Sequence, residues 1–213
     1  HEARFFPLLD NSKSIDLDIK AKYSIKNPYV FYPAQLWPHK NHIYILDALK
    51  CLQTKFGVAV DAVFSGTDRG NLNYVHNYAC KIGLSDRVHD VGFVPDSEVK
   101  AFYKQALALV MPTYFGPTNI PPLEAFALGC PVCYSDLPGL KDQVRDAAFL
   151  MDLNDPEILA QHLMTILNDP KAVQMKIQRG YQILSEWTED DYWKVLRRIF
   201  ENYFFKMKCW RDV

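Results

Sequence analysis

Apolar and polar positions alternate along this chain with two different periods. Residues 29–33, Tyr-Val-Phe-Tyr-Pro, form a short apolar run of aromatic and branched side chains. Such a run predicts a strand buried in a sheet. From residue 41 to 55 the apolar positions Ile43, Ile45, Leu46, Leu49 and Leu52 recur mainly three and four apart, which predicts a helix with one buried face. The alternation then repeats. Residues 58–64 predict a strand stopped by Ser65-Gly66, and 71–82 a helix with Gly83 just beyond its end. Residues 88–91 predict a strand, and Asp96-Ser97-Glu98 opens a helix reaching about residue 105. Residues 108–111 predict a strand, 121–128 a helix with proline in its first turn, and 131–134 and 148–151 two further strands. Residues 156–167 and 171–185 are helical by the same periodicity.

Short strands alternating with longer helices imply βαβ units. The expected fold is α/β: a Rossmann-like parallel sheet with helices on both faces. Ligands of such sheets bind outside the carboxyl ends of the strands. Chemistry is therefore expected in the loops 34–40, 66–70, 92–95, 113–120 and 135–139. Residues 1–27 are polar and weakly periodic, and read as a linker or the tail of an upstream domain. Residues 28–187 form the main domain, and 188–213 an amphipathic C-terminal helix. In that helix Trp193, Leu196, Phe200, Tyr203 and Met207 fall at helical spacing.

The chain has 213 residues, 49% hydrophobic and 23% charged, enough apolar material for a core without disulfides or metals. Its 24 basic and 25 acidic residues leave a net charge of −1, which argues against a uniformly basic nucleic-acid binder. No apolar run approaches the roughly 18 residues of a membrane span. Five cysteines do not suggest a disulfide scaffold, so a cytoplasmic location is the expectation. Cys130 and Cys133 make a CxxC, but the pair follows a helix end and lies in a predicted strand. They read as buried structural residues rather than a redox or zinc pair. Near-neutrality also hides a local excess. Residues 192–211 carry Lys194, Arg197, Arg198, Lys206, Lys208 and Arg211 against Glu201 alone.

Two loops attract attention on local physics. Residues 113–124, Thr-Tyr-Phe-Gly-Pro-Thr-Asn-Ile-Pro-Pro-Leu-Glu, leave a strand, contain Gly116 and run into a helix. A helix start presents unpaired N–H groups suited to a phosphate, and Glu124 one turn in suits a ribose diol. A plain turn followed by an acid complementing the helix dipole explains the same residues. Residues 34–40, Ala-Gln-Leu-Trp-Pro-His-Lys, place Lys40 at the carboxyl end of the sheet, where it suits a phosphate or simply faces water. His39 and His42 flank it three apart and read as surface or hydrogen-bonded side chains. Asp68, Arg69, Asp86 and Asp136 are explained by loop solvation. Residues near Gly66 do not spell the GxGxxG dinucleotide fingerprint.

Together these segments resemble the C-terminal, donor-binding half of GT-B glycosyltransferases of the retaining family 4. Residues 116–132, GPTNIPPLEAFALGCPV, resemble the family's E-x7-E segment. Residues 32–42, YPAQLWPHKNH, resemble its strand–loop–lysine phosphate site. Residues 91–106, VGFVPDSEVKAFYKQA, resemble its base-binding stretch, and SEWT at 185–188 the tryptophan near its last helix. The resemblance implies a nucleotide-diphosphate sugar, UDP- or GDP-linked, as substrate, with no cofactor and no metal. It implies Lys40 at the diphosphate, the amides of Thr118, Asn119 and Ile120 at the phosphates and sugar, Glu124 on the ribose and the Val94 backbone at the base. Two positions depart. The family's first glutamate falls at Gly116, and the arginine five before the lysine is Gln35.

The implied activity is hexosyl transfer in polysaccharide biosynthesis, with retained anomeric configuration. The acceptor, a glycan or lipid-linked sugar, would be held by an N-terminal domain with no counterpart here, so the chain alone should transfer little. Alternatives are a non-catalytic nucleotide-sugar-binding module and half of a sugar-nucleotide epimerase. The basic, aromatic C-terminal helix suits either packing on the other domain or peripheral contact with the inner face of a membrane.

Overall fold

The structure, a computed structural model, describes residues 17–116, 119–186 and 189–211. Six strands form one parallel sheet: β1 (Tyr29–Pro33), β2 (Asp61–Ser65), β3 (Val88–Gly92), β4 (Ala108–Met111), β5 (Val132–Ser135) and β6 (Phe149–Met151). Their order is β3-β2-β1-β4-β5-β6. Every position of β2, β4 and β5 is buried, so their apolar stretches at 62–64, 108–111 and 132–134 run without alternation. The chain builds outward from β1 to β3, then returns past β1 to lay down β4, β5 and β6. The order reverses between β1 and β4, where Val30 is in register with Ala108. A crevice opens at the carboxyl end of such a reversal.

Right-handed crossovers put α2 (His42–Phe56) and α3 (Leu72–Lys81) on one face, and α4 (Asp96–Gln105) and α5 (Pro121–Ala127) on the other. Further helices are α1 (Ile19–Lys22), α6 (Leu140–Val144), α7 (Pro156–Asn168), α8 (Pro170–Ser185) and α9 (Glu189–Arg211). Helix α7 packs on α2, and α8 on α5. A Cβ at Gly180 of α8 would lie 2.6 Å from the Phe126 ring, so glycine permits the close approach that holds α5 in place. Cys130 and Cys133 are buried. Burial pushes the Cys130 thiol up to about 12, away from thiolate chemistry.

Two expectations change. Among residues 17–27, expected as part of a polar tail, Ile19 and Ile25 are buried, and the Tyr23 ring lies 5.2 Å from that of Phe102. The Lys22 ammonium meets Glu98 at 2.7 Å. Two apolar anchors in a polar stretch are too few to show a period, so this packing left little trace in the sequence. The second strand begins at Asp61 rather than residue 58, because α2 ends on Gly57 at φ 69° and three residues lead in.

At the amino end of the sheet Asp61 is almost wholly buried. It accepts from Asn27 Nδ2 at 2.9 Å, lies 3.2 Å from His89 Nε2, and has Arg87 Nε at 3.6 Å. Burial alone would raise its pKa, but the bonds from His89 and Asn27 outweigh it and hold the carboxyl below its usual value. Helix α9 is different from the other helices. Trp193, Ile199, Phe200, Tyr203, Phe204 and Phe205 are all more than half exposed. No helix among the described residues is long and apolar enough to cross a membrane.

Candidate functional site

The loop after β1 is fixed by a backbone contact. A Cβ at Gly66 would lie 2.4 Å from the Ala34 carbonyl oxygen, so only glycine lets the loops after β1 and β2 touch. Leu36 N–H then donates to the Thr67 carbonyl at 3.1 Å, and Leu36 pairs with Asp68 as an isolated bridge. Pro38–Lys40 make one 3-10 turn, Asn41 takes a left-handed conformation at φ 55°, and α2 begins. Asparagine tolerates that conformation better than most side chains. The Tyr32 hydroxyl donates to the Lys40 carbonyl at 3.2 Å, which anchors Lys40 beside the first turn of α2. The Lys40 side chain is half-buried, and burial pushes its pKa down. Among the described residues no carboxylate pairs with it.

His42 corrects an expectation, being neither on the surface nor hydrogen-bonded. It is fully buried, 4.9 Å from the Tyr32 ring and 4.8 Å from the Phe64 ring. Neither ring nitrogen has a partner among the described residues. Burial, with the Lys40 charge second, pushes it down to about 4. At neutral pH it is an uncharged packing residue and no acid–base pair with His39.

The loop after β4 meets the first loop at the reversal point. Ser135 Oγ donates to the Thr113 carbonyl at 2.8 Å and fixes the exit from β4. Tyr114 N–H donates to the His39 carbonyl at 3.1 Å, and the Phe115 ring stacks on His39 at 4.3 Å. Further on, Asn119 is buried. Its Nδ2 donates to the Tyr134 hydroxyl and to the Gly116 carbonyl, and Gln143 Nε2 donates to its carbonyl at 2.6 Å. A Cβ at Gly116 would lie 2.3 Å from Asn119 Oδ1. The missing glutamate therefore has a local counterpart: the Asn119 amide fills the space a side chain at 116 would need. Ile120, half exposed, leads into α5. Thr118, with Pro117, lies outside the described residues.

Glu124 sits in the first turn of α5, half-buried, and accepts from the Tyr103 hydroxyl at 2.9 Å. Burial raises its pKa, the Tyr103 bond offsets this in part, and Asp96 at the start of α4 raises it again. This places Glu124 beside the start of α4 and the segment that precedes it. There the Val94 side chain is buried, so only its backbone can address a ligand, while Phe93 is 86% exposed. The sheet thus gathers Lys40, Gly116, Asn119, Ile120, Glu124 and the Val94 segment at one end.

Gln35 is exposed, and its Oε1 accepts from Trp37 Nε1 at 2.9 Å and from Arg69 Nε at 3.3 Å. No local pattern marks the Arg69 contact, because the two residues are far apart in the chain and belong to different loops. Tyr103 was also missed. Its signal was a tyrosine on the inner face of α4, since a buried hydroxyl needs a partner. Asp68 is a cap: its Oδ1 accepts from the amides of Gly70, Asn71 and Leu72 at 2.9 to 3.1 Å. Among the described residues no three histidine, cysteine, aspartate or glutamate side chains gather as a metal site.

Known proteins share this fold. The family model described as glycosyl transferases group 1 matches residues 16–183. The O-antigen chain mannosyltransferase B of Escherichia coli is 27% identical over 166 residues, covering 77% of this chain and 43% of that protein. A UDP-Gal:alpha-D-GlcNAc-diphosphoundecaprenol alpha-1,3-galactosyltransferase of Escherichia coli is 26% identical over 192 residues, covering 85% and 48%. Among solved structures, Anabaena Alr3699/HepE in complex with UDP superposes with a TM-score of 0.71 at 21% identity, covering 86% of this chain and 50% of that one. The C-terminal domain of a Francisella tularensis glycosyl transferase group 1 family protein, LpcC, gives 0.66 at 18%, covering 78% and 89%. The chain spans about half the length of the curated relatives it matches.

Proposed function

This chain belongs to the group 1 glycosyl transferases, and from that premise we propose that it holds the nucleotide-diphosphate sugar donor. The observation that carries this reading is the meeting of two loops at the β1/β4 reversal. One brings a half-buried Lys40 with no carboxylate partner among the described residues, and the other leads to an incompletely partnered Glu124. The Lys40 ammonium stabilises the departing diphosphate. The Asn119 and Ile120 backbone, with Thr118, meets the phosphates and sugar. Glu124 accepts from the ribose hydroxyls, and the Val94 backbone meets the base.

The reaction is hexosyl transfer of the retaining, family 4 kind, from a UDP- or GDP-linked sugar. It rests on placing donor and acceptor together. The acceptor is held by a part of the protein outside the matched region, and the chain alone transfers little. One relative's name carries a diphosphoundecaprenol-linked acceptor, which supports a lipid-linked acceptor at the cytoplasmic face of a membrane. The exposed aromatic stripe of α9 suits a cover supplied by the acceptor-holding part. Sedimentation of the chain with anionic vesicles, lost on deleting residues 188–213, would reassign that stripe to the membrane.

Calorimetric titration with UDP, GDP and their sugars tests the donor reading. Binding of at least one, weakened by Lys40→Ala and by Glu124→Ala, is expected. A folded chain that binds none of them overturns it and favours a module with no donor role.

A further inference from the structure

We propose that Arg69 is the second cation for the donor diphosphate, delivered from the loop after β2 to the place where the resembled family carries an arginine at the position of Gln35. The inference rests on the donor reading above. Gln35 can hydrogen-bond a phosphate but brings no charge. Its Oε1 instead receives Arg69 Nε at 3.3 Å, which sets the guanidinium beside the vacated position. Trp37 reinforces the arrangement from both sides. Its Nε1 donates to the same Gln35 oxygen at 2.9 Å, and its ring lies 5.8 Å from the guanidinium carbon. A cation over an indole face is held in place while its outer edge stays open.

Three further observations make this a site rather than a passing surface contact. The Arg69 loop is fastened to the β1 loop by backbone alone, through the Gly66–Ala34 approach and the Leu36–Thr67 bond. The backbone from which Arg69 reaches is thus set by the fold before any ligand arrives. The adjacent acid is turned to the backbone: Asp68 Oδ1 accepts from the three amides that open α3. Among the described residues no carboxylate pairs with Arg69. Finally, a guanidinium has five N–H donors. Gln35 takes the one on Nε, and the planar fork of terminal nitrogens remains for a bidentate phosphate contact. Lys40 and Arg69 would then hold the diphosphate from two loops instead of one, with the charge moved and not lost.

The test is calorimetric titration of the full chain with UDP and with GDP, following whichever binds. Arg69→Ala should weaken binding about tenfold, the scale of one charge-assisted contact, with the thermal midpoint of the unliganded chain unchanged. Gln35→Arg in the Arg69→Ala background should restore most of the affinity, since it returns the charge to the same place from the β1 loop. Unchanged affinity in Arg69→Ala, alongside a clear loss in Lys40→Ala, overturns the inference and leaves the donor reading standing. A loss that Gln35→Arg does not rescue also overturns it, because the two positions would then not serve one phosphate. Absence of binding by the unsubstituted chain sinks the donor reading itself.

Discussion

Two carboxylates, one at each end of the sheet, are treated in opposite ways. Asp61, at the amino end, is almost completely buried, yet Asn27 and His89 surround it and Arg87 stands beside it, so its pKa falls. Glu124, at the carboxyl end, is less buried, yet among the described side chains it accepts only from Tyr103, and its pKa rises. The same contrast holds for cations. Arg87 is buried beside Asp61, whereas Lys40 and Arg69 meet no carboxylate among the described residues. One end of the sheet spends its charges on the fold. The other keeps them under-partnered, which costs stability and leaves them available to a ligand.

Substitutions at the two ends should separate these roles. The largest effect is expected for Asp61→Asn, which strips the charge partner from buried Arg87. It should cost about 3 kcal/mol in chemical denaturation, with nucleotide affinity of the folded fraction unchanged. Stability equal to that of the unsubstituted chain would erase the contrast. Lys40→Ala should do the reverse. Nucleoside diphosphate binding should weaken by roughly 10- to 100-fold, the range for a charged contact, while the unfolding midpoint holds. Glu124→Gln should raise stability at neutral pH by up to about 1 kcal/mol, and weaken nucleotide binding several-fold. The sign follows from the raised folded pKa. The protonated acid suits the fold, so its contribution is present at low pH and lost as pH rises through that pKa. For Asp61 the pKa is depressed, so its contribution is present above the ordinary carboxylate range and lost as pH falls through the folded value. The smallest effect concerns ligand affinity in mildly acid solution. It should decline as Glu124 takes up its proton, and Glu124→Gln should flatten that decline in a pH series of titrations.

The strands were legible because a parallel sheet covered on both faces needs unbroken apolar runs, and residues 29–33 and 108–111 supply them. The placement of Lys40 and Glu124 could be read because each sits at a fixed distance from a strand end or a helix start. The packing of Ile19 and Ile25 was not, since two anchors define no period. Neither was the role of Asn119, whose side chain turns inward to Tyr134 and crowds Gly116. Arg69 lay hidden for a different reason. Its meeting with Gln35 depends on how closely two backbones pass at Gly66, and no local pattern of side chains records that separation.

The half-buried Lys40 has a consequence for its reactivity. Among the described lysines with a resolved shift, Lys22, Lys55 and Lys141 hold their protons more tightly than usual, and Lys40 alone holds its proton less tightly. A larger fraction of its side chain is therefore the uncharged amine in mildly alkaline solution. A small amine-directed acylating reagent, used in limiting amount and followed by peptide mass mapping, should mark Lys40 ahead of those three, and a bound nucleotide should shield it.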